Sequence, residues 1–477
     1  MVQQVAIVHG WSDNSTSFHG LRAFLNGNGF EVTGIWLGDY ISMDDDVRIS
    51  DVAKRMNAVI SGGIASGELR PPFDLIVHST GGLVAREWLA RYYPNGENCP
   101  VKRLLMLAPA NFGSRLAAAG KSLVGRVLYG WDKWFQTGAE ILRGLELASP
   151  YQWDLACRDL LDPAGAGTGP YGGDKVWPFV IIGSRGYSSG LRRAVNEDGS
   201  DGTVRACAAN LNCIGLTIDF TGGMNPEVTP WHPRNGDAVF PFAVLPDRDH
   251  STIVRPSDQT DAPNSSPALG RRILQALRCA SPAEYRQIGK DWAVDTEDMA
   301  ALGGPDGEAQ RSMTFVGNAP PASAFHQYLQ AIVAVADDQG LPIDDYFLEF
   351  FAPEDQDDTE AVYFQREVLE HTHVNTSRRD MRCLFIDRSD LMTGYYPRVE
   401  AGRERVVAMS ISAAPAGNNV RHFDSSEAGA PGHLIVHRED DEERETIGAA
   451  RLRRNMTHLV RIVVPRVPQA KVFTLTQ

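Results

Sequence analysis

At 477 residues the chain exceeds what one hydrophobic core organises, so length alone predicts more than one domain. Hydrophobic residues at 43 % and charged residues at 22 % are ordinary for globular proteins and exclude a disordered or fibrous chain. A formal net charge of −14 argues against nucleic acid as a partner, because phosphate backbones need clustered Lys and Arg.

The opening MVQQVAIVHG runs straight into a strand pattern and lacks the basic, apolar and small-residue sections of a secretory signal. No window approaches the roughly 18 continuous apolar residues that span a bilayer. The expectation is a chain that is cytoplasmic as synthesised. Six cysteines are too sparse for a disulfide framework, and only Cys207 and Cys213 lie close together, which favours reduced thiols.

From residue 4 to about 108, Val/Ile/Leu-rich runs (QVAIVHG, EVTGIWLG, FDLIVHS, KRLLMLA) alternate with helical spacings such as Phe18, Leu21, Phe24, Leu25 and Val52, Met56, Val59, Ile60. Nearly continuous apolar strands joined by helices predict a mostly parallel sheet covered on both faces, an α/β domain. Past Pro109 the alternation stops. Leu123, Val127, Trp131 and Phe135 then recur every four residues, an apolar helical stripe within an inserted cap over about 113–151. The strands resume with VWPFVIIGS and FPFAVLP, and RRILQALRC closes the domain, placed at 1–290.

A polar, glycine-containing stretch over 291–312 reads as a linker. The remainder, 313–477, holds short β-prone runs separated by Asp, Gly, Asn and Pro: DYFLEFFAP, AVYFQREVLEH, RCLFID, ERVVAMSIS, HLIVHRE, HLVRIVVP and KVFTLT. They predict an all-β, sandwich-like accessory domain with no readable partner signature. Its acidic loop APEDQDDTE lacks calcium-loop spacing and reads as solvated, and His371 and His373 alone define no zinc site.

The chemistry concentrates in PFDLIVHSTGGLVAR, a buried strand ending at Ser79, two glycines, then a helix. A sharp strand-to-helix turn holds a serine hydroxyl above the sheet edge, and small neighbours allow the bend. The stretch resembles the nucleophile elbow of the α/β-hydrolases, although Val77 stands where the usual G-x-S-x-G has its first glycine. A serine that merely caps the next helix is the alternative.

The rest of an acyl-transfer site follows in the family's chain order of Ser, Asp, His. His9-Gly10-Trp11 resembles the H-G segment of lipases, and that match assigns the oxyanion-hole amides to Trp11 and Thr80. Asp201, in the DGTV turn, resembles the lipase acid, with Asp198 as competitor. His250 falls just past the last predicted strand, where these hydrolases keep their base; His232 and His78 are its rivals, and the strand's alternation turns His78 away from the expected pocket.

Together with LAPANFGS after the next strand, these features resemble the lipase and esterase branch, near the lecithin-cholesterol acyltransferase-like and inositol-deacylase-like lipases. The resemblance implies a serine hydrolase cleaving carboxylic esters, with lipid or phospholipid acyl esters as substrate class, peripheral membrane contact, and neither metal nor cofactor. An amidase or peptidase on the same three residues, and an inactive hydrolase-fold binding protein with Val77 as its mark, are the alternatives. Bacterial lipase effectors delivered without a signal peptide are an analogous setting for signal-less secretion.

Overall fold

The computed structural model describes residues 2–8, 18–35, 45–118, 138–165, 167–188, 193, 196–222, 225–236, 238–258, 267–304, 307–315, 319–353, 359–400, 402–422, 432–440 and 452–468. The chain divides into two compact units. One comprises Met1–Asp162, Ala166–Asn212 and Pro233–His326; the other comprises Pro163–Gly165, Cys213–His232 and Gln327–Gln477.

The first unit opens with β1 (Gln4–Val8), α1 (His19–Gly27), β2 (Glu31–Ile35), α2 (Ile49–Ser66), β3 (Phe73–His78), α3 (Gly81–Tyr92) and β4 (Val101–Leu107). After α4 (Arg115–Ala118), helices span Ala139–Leu145 and Pro150–Asp159, followed by β5 (Leu161–Asp162) and β6 (Trp177–Gly183). The strands β7 (Cys213–Asp219) and β8 (Glu227–Pro230) belong to the second unit, and β9 (His232–Pro233) and β10 (Phe242–Leu245) precede helices Pro267–Arg278 and Pro282–Ala301.

The central sheet has the order β10-β6-β4-β3-β1-β2, with every pair parallel. Its strands are apolar throughout because helices cover both faces: all of β1, β3 and β6 is buried. α2 forms from an amphipathic stretch that buries Ile49, Val52, Ala53, Met56 and Ile60. The Asp51 carboxylate accepts from the Arg48 N–H at its start, and Gly67 at φ +80° ends it. The order of strands reverses at β1, between β2 and β3, and parallel sheets of this kind place their sites at the carboxyl ends of strands near such a point.

The second unit differs from the expected accessory domain in its bounds. Its larger sheet, β13-β14-β11-β18-β7-β8, is mixed: β11 (Tyr328–Asp337) and β18 (Met456–Val464) pair in parallel, as do β18 and β7. Residues 213–232, expected within 1–290, supply β7 and β8, because β7 buries Leu216 and Ile218 in this unit's core.

A smaller antiparallel sheet of β12 (Tyr346–Phe351), β15 (Val406–Ala413) and β17 (Leu434–Arg438) shares that core, Leu348, Met409 and Val436 meeting Leu329, Leu384 and Ile462. Between β12 and β13 (Leu369–Val374), most of the AVYFQREVLEH run coils as helical turns over Thr359–Tyr363 and Phe364–Val368, and only its last three residues, Leu369 to His371, extend within β13. β14 (Met381–Asp387) follows, and β16 (Val420–Arg421) pairs with β19 (Val467–Pro468). The KVFTLT run lies outside the described residues.

The expected linker over 291–312 is largely helical instead, at Pro282–Ala301 and Glu308–Thr314. The Ser281 hydroxyl accepts from the Glu284 N–H, Pro282 opens the helix, and Tyr285, Ile288 and Trp292 bury one face of it. Trp177 stacks on Tyr285 at 5.7 Å, so this helix packs into the first unit's core. No disulfide links the six cysteines, all of which lie among the described residues.

Candidate active site

Ser79 follows the last residue of β3 and precedes α3, at φ +54°, a left-handed conformation that a non-glycine residue adopts only under constraint. The constraint is visible. The Ser79 N–H donates to the Leu107 carbonyl at 3.0 Å, and the Ser79 carbonyl accepts from the Gly82 N–H at 3.0 Å. Gly82 lies so close to the loop after β4 that an added Cβ would stand 2.6 Å from Pro109 Cβ. Val77 does not disturb the turn: it is fully buried, and its Cβ would meet a Cβ at Gly81 only at ordinary contact distance, 3.4 Å.

Three side chains from distant loops then meet. The His250 Nε2 lies 3.0 Å from Ser79 Oγ, and His250 Nδ1 lies 2.7 Å from Asp201 Oδ2. Since a carboxylate only accepts, Nδ1 carries the proton and Nε2 presents its lone pair to the hydroxyl. Asp201 is fully buried and His250 nearly so, while Ser79 is half-buried.

Asp201 is held as firmly as His250. Asp201 Oδ1 accepts from the N–H groups of Thr203 at 2.9 Å and Val204 at 2.8 Å, and the Asp201 carbonyl accepts from the His250 N–H at 2.9 Å. Gly202 at φ +92° packs against the Tyr187 ring, which a Cβ would approach to 2.5 Å, so the turn requires glycine. The competitor Asp198 is exposed, as is His232.

Sequence reasoning missed the brace behind this site. Residues 111–114, part of the LAPANFGS stretch, bind the segment that carries Asp201 at three points. Asn111 Nδ2 donates to the Ala209 carbonyl at 2.8 Å, Phe112 N–H to Ala208 at 2.9 Å, and Ser114 Oγ to Thr203 at 2.6 Å. Arg86, fully buried on α3, donates to the Asn111 carbonyl at 2.9 Å and grips the buried Asp159 through two bonds of 2.9 and 3.0 Å. A charged residue at a buried helical position was the available signal, since buried arginines are paired.

His78 also departs from expectation. Its ring does not turn away from the site but stands 4.8 Å from the His250 ring, with Nε2 3.1 Å from the His250 carbonyl. Thr80 is buried at the start of α3, where the first amides of a helix have no intrahelical acceptor. Trp11, with His9 and Gly10, lies outside the described residues, as do Leu123, Val127, Trp131 and Phe135 of the cap and most of the acidic APEDQDDTE loop.

Residues 5–262, more than half of the chain, match the alpha/beta hydrolase family. The chain therefore belongs to that family, as its parallel sheet and serine turn also indicate. Among solved structures, phospholipase PlaB from Legionella pneumophila is similar at 23 % identity and a TM-score of 0.74, covering 100 % of this chain and 96 % of that one. The same figures describe PlaB in complex with thio-NAD. The mature lipase BlEst2 of Bacillus licheniformis is 14 % identical, with a TM-score of 0.33 over 53 % of this chain and 86 % of its own. No curated protein matches the sequence. The likeness to PlaB shows that the two chains share a fold along their whole length. No helix among the described residues is long and apolar enough to cross a membrane.

Proposed function

We propose that the protein is a serine hydrolase that cleaves carboxylic esters, acting on lipid or phospholipid acyl chains through an acyl-enzyme on Ser79. The observation that carries this reading is the hydrogen-bonded row of Ser79 Oγ, His250 and Asp201, at 3.0 and 2.7 Å. Membership of the hydrolase family supports it, and a fold shared with a phospholipase favours a lipid ester over a small one.

In this reading His250 Nε2 takes the Ser79 proton as Oγ attacks the ester carbonyl, and Asp201 stabilises the imidazolium so formed. The tetrahedral oxyanion is held by the Thr80 amide, with Trp11 as the second donor. His250 returns its proton to the departing alcohol. Water, activated by the same imidazole, then releases the acid from the acyl-enzyme and restores the serine. Peripheral contact with a lipid surface follows from that substrate class.

The test is covalent labelling by a fluorophosphonate, followed by mass spectrometry of phospholipids incubated with the protein. Wild type is expected to be labelled at Ser79 and to release fatty acids, and Ser79→Ala to lose both, with a fall in turnover on the order of 10⁶-fold. An unlabelled wild type, or equal fatty-acid release by Ser79→Ala, would refute the proposal. Faster turnover of matched amides than of p-nitrophenyl esters would move the assignment to an amidase.

A further inference from the structure

We infer that His78 is a positioning residue for the base: its imidazole N–H holds the backbone of His250, so that nucleophile and base are tied together by a contact that takes no part in the proton transfer. The inference rests on the serine-hydrolase reading above and adds to it a residue that the Ser, Asp, His pattern does not contain.

The geometry fixes the direction of the bond. A carbonyl oxygen only accepts, so His78 Nε2, 3.1 Å from the His250 carbonyl, is the protonated nitrogen. His78 is 3 % exposed, and its ring is wedged between the His250 ring at 4.8 Å and the edge of Phe18 at 5.9 Å. It is also the residue covalently preceding Ser79 and the last residue of β3, the most thoroughly buried kind of strand in the sheet.

His250 is consequently clamped on both sides of its own peptide frame. Its N–H donates to the Asp201 carbonyl at 2.9 Å and its carbonyl accepts from His78. The side chain adds the two bonds to Asp201 and Ser79. The reaction breaks and remakes the Ser79 bond, because the proton leaves the serine and passes to the alcohol. During that interval the imidazole must keep its place without the serine, and the His78 contact persists unchanged because it lies on the backbone. A base displaced by about 1 Å costs on the order of 100-fold in rate, so a contact that prevents such drift acts on kcat rather than on binding.

The contact requires a donor of ring length at the end of β3. Leucine fills a similar volume without a donor, and glutamine carries an N–H at a comparable reach. Relative to wild type, His78→Leu is expected to lower kcat on a p-nitrophenyl ester and the rate of fluorophosphonate labelling in parallel, each by about 10- to 100-fold, with KM changed less than about 3-fold. His78→Gln is expected to recover to within about 5-fold of wild type. A residue that only fills space would show no such split and no such rescue.

His78→Leu that is folded by circular dichroism and labels within about 3-fold of wild type overturns the inference, as does His78→Gln no faster than His78→Leu. Should the leucine variant fail to fold, ¹⁵N-histidine NMR of the wild type decides the matter. A protonated Nε2 on His78, with a hydrogen slow to exchange, is expected, and an unprotonated Nε2 overturns the inference. A wild type that does not label at all sinks the serine-hydrolase reading itself, whereas a labelled wild type with an unaffected leucine variant sinks only the role of His78.

Discussion

Each unit of the molecule buries a histidine with both ring nitrogens engaged, and the two histidines are chemically opposite. In the second unit His458 is fully buried on β18; its Nδ1–H donates to the Gln330 carbonyl at 3.0 Å, and its Nε2 accepts from the Arg453 N–H at 2.9 Å. Burial, aided by the nearby charge of Arg453, pushes it down to about 4. Both partners are backbone groups, a carbonyl and an N–H that keeps its proton, so neither offers this imidazole a proton to take up. In the first unit His250 faces a carboxylate on one nitrogen and a hydroxyl on the other. Burial is common to the two; what makes one a candidate base is the exchangeable proton of its neighbour and the anion behind it.

The comparison breaks most sharply at Asp201. Asp201→Asn keeps the shape but removes the anion and lets Nδ1 become the acceptor, leaving the wrong nitrogen protonated towards Ser79. Turnover is expected to fall by about 10⁴-fold with a melting temperature close to that of wild type. Steady-state kinetics on a p-nitrophenyl ester, with calorimetry alongside, checks both halves. Loss of less than about 10-fold would mean that the anion is not what distinguishes His250.

A structural counterpart lies at Arg86, whose guanidinium and the Asp159 carboxylate are both fully buried. Tyr171 also donates to that carboxylate, at 3.1 Å. Arg86→Leu leaves an uncompensated carboxylate in the interior and frees the Asn111 carbonyl, so unfolding free energy is expected to fall by about 3–5 kcal/mol. Chemical denaturation reads this directly. Activity of the fraction still folded separates the brace from the chemistry.

His458 supplies the pH dependence. Its folded pKa lies below its ordinary value, so the unfolded chain takes up the proton first. The stability contributed by a neutral His458 is full above about pH 6.5 and is lost as pH falls towards about 4, amounting to roughly 3 kcal/mol. Melting of the full chain across that range is expected to show the decline, and His458→Gln to flatten it. Persistence of the full slope in His458→Gln would assign it to other groups.

Much of the first unit was legible because its signals are local. β1 to β4 are continuous apolar runs, α1 and α2 have helical spacing, Ser79 directly follows β3, and His250 lies in the short loop after β10. The second unit resisted for a physical reason: β7 and β18 pair across some 240 residues of sequence, so Leu216 and Ile218 read as part of 1–290 until Val460 and Ile462 are placed beside them. β11 was not singled out, its alanines at 331, 334 and 336 giving it weak strand character. AVYFQREVLEH misled in the other direction, since its β-branched and aromatic residues bury Phe364 and Val368 from helical turns. His78 was misplaced because strict alternation describes a strand's middle and not its last residue before a tight turn.

The smallest expected effect tests how the two histidines are supported. His458 rests on the backbone of β11 and of the segment leading into β18, whereas the carboxylate behind His250 rests on a turn whose outer wall is Tyr187: its hydroxyl lies 2.9 Å from Thr203 Oγ1, and its backbone is clasped by Asn196 at 2.7 and 2.8 Å. Tyr187→Phe keeps the ring against Gly202 and removes only the hydroxyl, a loss of about 1 kcal/mol in stability. Thr203 N–H is one of the two backbone donors to Asp201 Oδ1, so loosening its side chain is felt by the acid. A fall of about 2- to 5-fold in kcat with unchanged KM is expected. If kcat is unmoved while stability drops, the turn holds Asp201 through its backbone alone, and the support of the acid is as independent of side chains as that of His458.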